Sequence, residues 1–303
     1  MRSVNIARNR PAPSIRFRNR RSGRGEMTGF LFILPSLAGC LLFVMVPFAD
    51  AIRRSMTTTL TGEFVGLKFY REIFQNASFR QACLNTGRFM ALCVPALVVF
   101  SLFLAMMLSK RVYGRGALRA AFLLPMAVPV ASIALLWKAL FHESGLANAF
   151  ISSLGLTPID WMKTDWSLFC LILSYLWKNA GYNMVLFLTG LNGISAALYE
   201  AADVDGAGPW RKFRSITLPC LKPTLFTVMV LALLNAFKAY REAWLVAGNY
   251  PQGSIYLIQH TLNNWFSGLE IEKLSAAATV TALVILVLVA LLNRAWQVEV
   301  EAQ

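Results

Sequence analysis

Tyr175, Lys178, Asn179, Tyr182 and Asn183 recur at offsets of 0, 3, 4, 7 and 8 within an apolar run, a spacing that puts them on one helical face. Asn235, Lys238 and Glu242 recur at offsets of 0, 3 and 7 in a later run, with Arg241 alongside. Polar groups in such runs are expensive to place in lipid and point to function. Their chemistry is hydrogen bonding to a polar solute: amides and ammonium groups meet hydroxyls, and phenol rings stack on apolar faces. Taken singly, each residue also fits a simpler role as interhelical hydrogen-bond glue. Lys178 is the exception, because an ammonium there needs water, a carbonyl or an acid. Either Glu242, the only acid on the two stripes, or a water-filled cavity shared with a second subunit meets that need.

Nothing in the sequence sets up catalysis. His142 and His260 lie outside the apolar runs without metal-ligand spacing, and no carboxylate cluster accompanies them. The five cysteines (Cys40, Cys83, Cys93, Cys170, Cys220) are scattered without C-x-x-C and read as small packing residues. A nucleotide-binding P-loop needs G-x4-G-K-[ST], and no Gly-Lys pair occurs. The chain therefore reads as a non-enzyme with no metal or cofactor, whose energy must come from another protein. A secondary transporter would need an intramembrane acid to couple ions, and none lies between Gly87 and Ser195 except in a loop.

A third chemistry-bearing segment, EAADVDGAGPWRKFRSITLP over residues 200–219, interrupts the apolar runs with three acids and three bases. Ser195 to Ala202 is a good helix former, and Gly206 supplies the backbone angles of a sharp corner. A second short helix can begin after Gly208-Pro209. Ile216-Thr-Leu218-Pro219 then returns the chain to the membrane. Phe213, Ile216 and Leu218 suit a partner's groove, and the charged sides, Asp205 among them, suit water.

The elements that must hold these residues are membrane helices. The chain has 303 residues, 57% hydrophobic and only 15% charged, against about a quarter charged in soluble domains. Six spans are expected near 28–52, 86–108, 118–141, 167–191, 222–246 and 275–293, an all-α polytopic membrane fold. Pro35, Pro47, Pro95, Pro125 and Pro129 fall inside them, and Pro125 with Pro129 should bend the third. The net charge of +14 could suggest nucleic acid, but eight of the 29 bases are arginines in the first 24 residues. That reads as a disordered cytoplasmic tail over 1–27 that fixes topology and touches anionic lipid. The run from Thr28 to Ile52 exceeds the roughly 7–15 residues of a signal-peptide core. Loop 109–117 has Lys110, Arg111 and Arg115 without an acid, and loop 192–221 has Arg211, Lys212 and Arg214. Loop 247–274 has only Lys273. Basic loops thus fall inside, and both termini, including a tail over 294–303, are expected to be cytoplasmic. Only the loop after the first span, with five bases in 53–85, resists. Its GLKFYREIF and FRQACLNT segments read as short amphipathic helices on the outer interface, their arginines snorkelling.

The spacing E-A-A-x3-G-x9-I-x-L-P, carried by Glu200, Ala201, Ala202, Gly206, Ile216, Leu218 and Pro219, resembles the cytoplasmic EAA loop of binding-protein-dependent ABC importer permeases. Phe64-Val-Gly-Leu-Lys-Phe-Tyr70, Asn85-Thr86, Val94-Pro95, Arg119 to Leu124-Pro125, and Trp137 before Gly145-x-x-Asn148 look like the carbohydrate branch, of maltose and glycerol-phosphate type. The likeness covers roughly residues 30 to 293. The large outer insertion of the maltose permease is missing, and Gly248-Asn-Tyr-Pro251 replaces its usual Gly-Gly-Pro. The resemblance implies a permease core over 86–293, preceded by a first span with its outer loop over 28–85. It implies a coupling loop over 195–219 that docks on cytoplasmic ATPases, in a multi-pass protein of the bacterial cytoplasmic (inner) membrane. The implied partners are a second, different permease, two ATPase subunits and an extracytoplasmic solute-binding protein. The implied cargo is a sugar or oligosaccharide, with a glycerol phosphate or other polyol derivative as the alternative.

Overall fold

The computed structural model describes residues 23–109, 113–248, 250–251 and 253–301. Among these, helices dominate and the only β pairing is one isolated bridge between Thr57 and Phe64. Four helical stretches are long and apolar enough to cross a membrane, Phe30–Arg54, Ala77–Ser109, Pro209–Trp244 and Ile271–Arg294, and two bent helix pairs bring the total to as many as six. The chain divides into two compact units at Asp50.

In the first unit, the expected arginine-rich tail lies mostly outside the described residues. Helix begins at Gly23, before the expected start at 28. It passes through a π-helical turn at Leu41–Met45. Its apolar side chains from Phe30 to Phe48, Phe32 and Phe43 among them, are exposed.

In the second unit, the helices Ala77–Ser109, Trp166–Asn192 and Leu218–Ala236 share the main core. Phe89, Leu97, Met184, Phe187 and Val228 are fully buried in it. Small residues let the backbones approach: a Cβ on Gly181 would run into the backbone carbonyl of Phe122.

Several boundaries differ from those the sequence suggests. FRQACLNT is not a separate interfacial helix but the first turns of the 33-residue Ala77–Ser109 helix. That helix is about 50 Å long, well over the ~30 Å hydrocarbon core, so its end projects beyond it. The Lys68–Gln75 helix is amphipathic as expected, and its Phe69 and Ile73 are buried on protein, beside Phe79, Trp265 and Ala277. The third span is not one bent helix over 118–141: Arg115–Ala127 and Val130–Leu140 meet at 97°. Val128 is extended (ψ 132°), the conformation a following proline favours. The last helix continues past 293 to Glu301, so the expected tail is helical over most of its length.

Candidate functional site

The segment from 195 to 219 folds as a helical hairpin. Ser195 is extended and opens the Ala196–Val204 helix, which turns 67° away from Trp166–Asn192. Gly206 closes that helix at φ +69°, a left-handed angle costing most residues about 1–2 kcal/mol. The amide of Ala207 donates back to the Ala202 carbonyl at 2.8 Å. After Gly208, Pro209 begins the second arm at a first-turn position that needs no amide hydrogen.

That arm is not a separate short helix. From Pro209 it runs without interruption through a π-helical turn, Phe213–Thr217, into Leu218–Ala236. Ile216, Leu218 and Pro219 therefore lie within a continuous rod and do not end a unit. Lys212 bonds Asp203, and Tyr199 Oη lies 2.9 Å from Thr217 Oγ1, strapping the two arms together. Phe213, Ile216 and Leu218 are half-buried, while Glu200, Ala201 and Asp205 are exposed and Ala202 is half-covered. The most exposed apolar groups are Val204 (89%) and Trp210 (72%), which the sequence pattern did not single out. Their flanking charges hid them.

The two polar stripes do not converge on one open surface. Tyr175 is buried, its hydroxyl donating to the Ala232 carbonyl at 3.0 Å. Asn179 donates to the Tyr175 carbonyl at 2.9 Å. Asn183 is buried with Oδ1 unpartnered, and Tyr182 is half-covered. Lys178 Nζ meets Glu242 Oε1 at 2.6 Å, both side chains largely buried. Glu242 thus points into the bundle, away from Lys238, which is exposed and donates to Asn235 Oδ1 at 3.0 Å. Glu242 Oε2, Ser174 Oγ and Trp137 Nε1 are buried without partners, and all three residues line one cavity of about 30 Å³. That is room for a single water.

Asn85, Thr86 and Asn148, three of the motif residues, make bonds that hold segments together. Asn85 donates to the carbonyls of Gly253 and Tyr256, and Thr86 Oγ1 accepts from the Ile258 amide, tying a long helix to the 253–258 segment. Buried Asn148 gathers the carbonyls of His142, Glu143 and Ile159 and accepts from Trp161 Nε1.

Residues 97–298 match the family described as the binding-protein-dependent transport system inner membrane component. The chain is 33% identical over 250 residues to the trehalose/maltose transport system permease protein MalF of Thermococcus litoralis, covering 80% of this chain and 85% of that one. It is 31% identical over 274 residues to the arabinooligosaccharides permease AraP of Bacillus subtilis (87% and 86% covered). It is also 31% identical to the sn-glycerol-3-phosphate permease UgpA of Yersinia pestis over 264 residues (85% and 90%). A chain from a bacterial ABC transporter that imports the acidic polysaccharide alginate superposes with a TM-score of 0.79 at 25% identity, covering 90% of this chain and 96% of that one. The chain belongs to this family of ABC importer permeases. The permease is accordingly an inner-membrane transport protein and not an enzyme. The shared region takes in both arms of the hairpin and both polar stripes.

Proposed function

We propose that the permease forms half of the translocation pathway of an importer for sugars or oligosaccharides. It works beside a second homologous permease, two cytoplasmic ATPase subunits and an extracytoplasmic solute-binding protein. The hairpin carries this reading. Its strapped arms make a rigid lever continuous with a membrane helix, and Val204 and Trp210 stand exposed at its tip as knobs for an ATPase cleft. Because the Pro209–Trp244 rod is unbroken, a push on the tip moves the end of the rod that carries Lys238 and Glu242. The sugar assignment rests on the MalF and AraP relatives; the UgpA relative supports a glycerol phosphate as the second reading.

Aspartate at both Val204 and Trp210 is expected to cut ATPase co-purification at least about 30-fold, the effect of losing roughly 2 kcal/mol at an interface hot spot. Membrane insertion should be unchanged. Full ATPase recovery with normal uptake would remove the hairpin as the docking element.

A further inference from the structure

We infer that the open face at the far end of the Pro209–Trp244 rod is an anion subsite for a saccharide unit bearing a carboxylate, sulfonate or phosphate. The inference rests on the permease reading above and narrows its substrate class. Four side chains line a groove of about 350 Å³ there: Tyr240, Arg241 and Trp244 from the rod and Asn263 from the Ile258–Ser267 helix. The volume falls within the roughly 300–1,000 Å³ of ligand clefts. Lys238 lies one turn back, exposed like Arg241. Two rings, an amide and a guanidinium offer a sugar stacking surfaces, hydroxyl partners and a planar fork for an oxyanion.

Charge carries the argument. Between Leu218 and Ser267 the only acid is Glu242, and it is turned into the bundle onto Lys178. Lys238 and Arg241 are therefore not offset by any carboxylate on the two helices that wall the groove. Lys178 sits near the middle of the Trp166–Asn192 helix. Its bond to Glu242 ties that helix to the far end of the rod, beside Arg241. Exposed cations at that end of the rod reach water or meet an anion. A neutral-sugar path needs neither cation, and two cations repel each other until an anion arrives.

The test uses the whole complex, purified with its co-expressed partners in nanodiscs. Cys40→Ser, Cys83→Ser and Cys220→Ser remove the exposed and half-exposed thiols, and Asn263→Cys supplies a reporter. Leu234→Cys, exposed one turn from Lys238, is a second reporter should the first impair assembly. Modification rates by an anionic (sulfonatoethyl) and a cationic (trimethylammonioethyl) methanethiosulfonate are compared, each normalised to a free thiol. The normalised ratio should favour the anion about tenfold or more, as in clefts of one charge. It should collapse towards unity with Lys238→Gln and Arg241→Gln together. Trigalacturonate should slow labelling and uncharged maltotriose should not. A ratio near unity before substitution, equal protection by maltotriose, or no labelling by either reagent in any nucleotide state would each overturn the subsite. ATPase stimulation by the binding protein, read on the same preparation, reports the permease assignment separately. If stimulation persists while the ratio is flat, only the anion subsite falls.

Discussion

At the scale of single residues, the costs concentrate where a side chain has no freedom to move. Gly181 faces the backbone of Phe122 and Leu123, and neither can rotate away from an added methyl. Gly181→Ala should therefore cost about 1–3 kcal/mol, the range for overpacking, seen as a lower unfolding temperature in detergent. Gly190→Ala meets mainly the side chains of Thr224 and Leu221, and should cost less because these can repack. Equal losses at the two positions would deny the close helix approach. The Lys178–Glu242 pair predicts a different signature. Lys178→Met strands a buried carboxylate whose second oxygen already lacks a protein partner, a loss of about 3–5 kcal/mol in comparable buried pairs. Replacing both, Lys178→Met with Glu242→Leu, should recover most of that stability. A double-mutant cycle giving simple additivity would mean that the two charges are independently hydrated.

At the scale of elements, what the sequence made legible is what local rules control. The corner at Gly206, the proline start at Pro209, and the interruption near Pro125 and Pro129 all follow from backbone restrictions on glycine and proline. Helix ends without such punctuation were not legible. Nothing between Pro209 and Trp244 forces a stop: Pro219 and Pro223 sit early in Leu218–Ala236, and the rod absorbs its irregularities as a π turn at Phe213 and a tighter turn at Phe237–Ala239. Asn235, Lys238 and Glu242 differ in burial across the tight turn at Phe237–Ala239: Lys238 is exposed and bonds Asn235, whereas Glu242 is buried on Lys178. The Ile258–Ser267 helix owes its seat to His260, which is fully buried between the rings of Tyr240 and Tyr256, with Nδ1 accepting the Leu257 amide. Burial lowers its pKa from 6.5 to about 4. The folded state then binds fewer protons than the unfolded state between those values, so stability is lost as pH falls from about 6.5 towards 4. A pH series of unfolding temperatures should show this decline in the native chain and a flatter one in His260→Gln. Identical profiles would remove His260 as the cause.

At the scale of the whole molecule, orientation decides whether the hairpin can meet an ATPase at all. The Pro209–Trp244 rod is about 54 Å long, longer than the ~30 Å hydrocarbon core. Ala207 precedes it and Tyr250 follows it, so the two residues lie at opposite ends of one membrane-crossing element and belong on opposite sides. The sign of that difference comes from charge. Arg211, Lys212 and Arg214 crowd the Ala207 end, whereas the 247–274 segment holds Lys273 as its only Lys or Arg; segments rich in Lys and Arg stay in the cytoplasm. In a background with the exposed native thiols replaced, Tyr250→Cys, with Tyr250 78% exposed, should be labelled in intact cells by an impermeant maleimide. Ala207→Cys should be labelled only after permeabilisation. The reverse pattern would put the hairpin outside and end its role as a lever for ATPases. Labelling of both from one side would mean that the rod does not cross. If Tyr250 labels from outside, the outward end of the rod is the one that carries Lys238 and Arg241, and the proposed anion groove then faces the incoming solute while the strapped hairpin faces the cytoplasm. One unbroken helix joins the two.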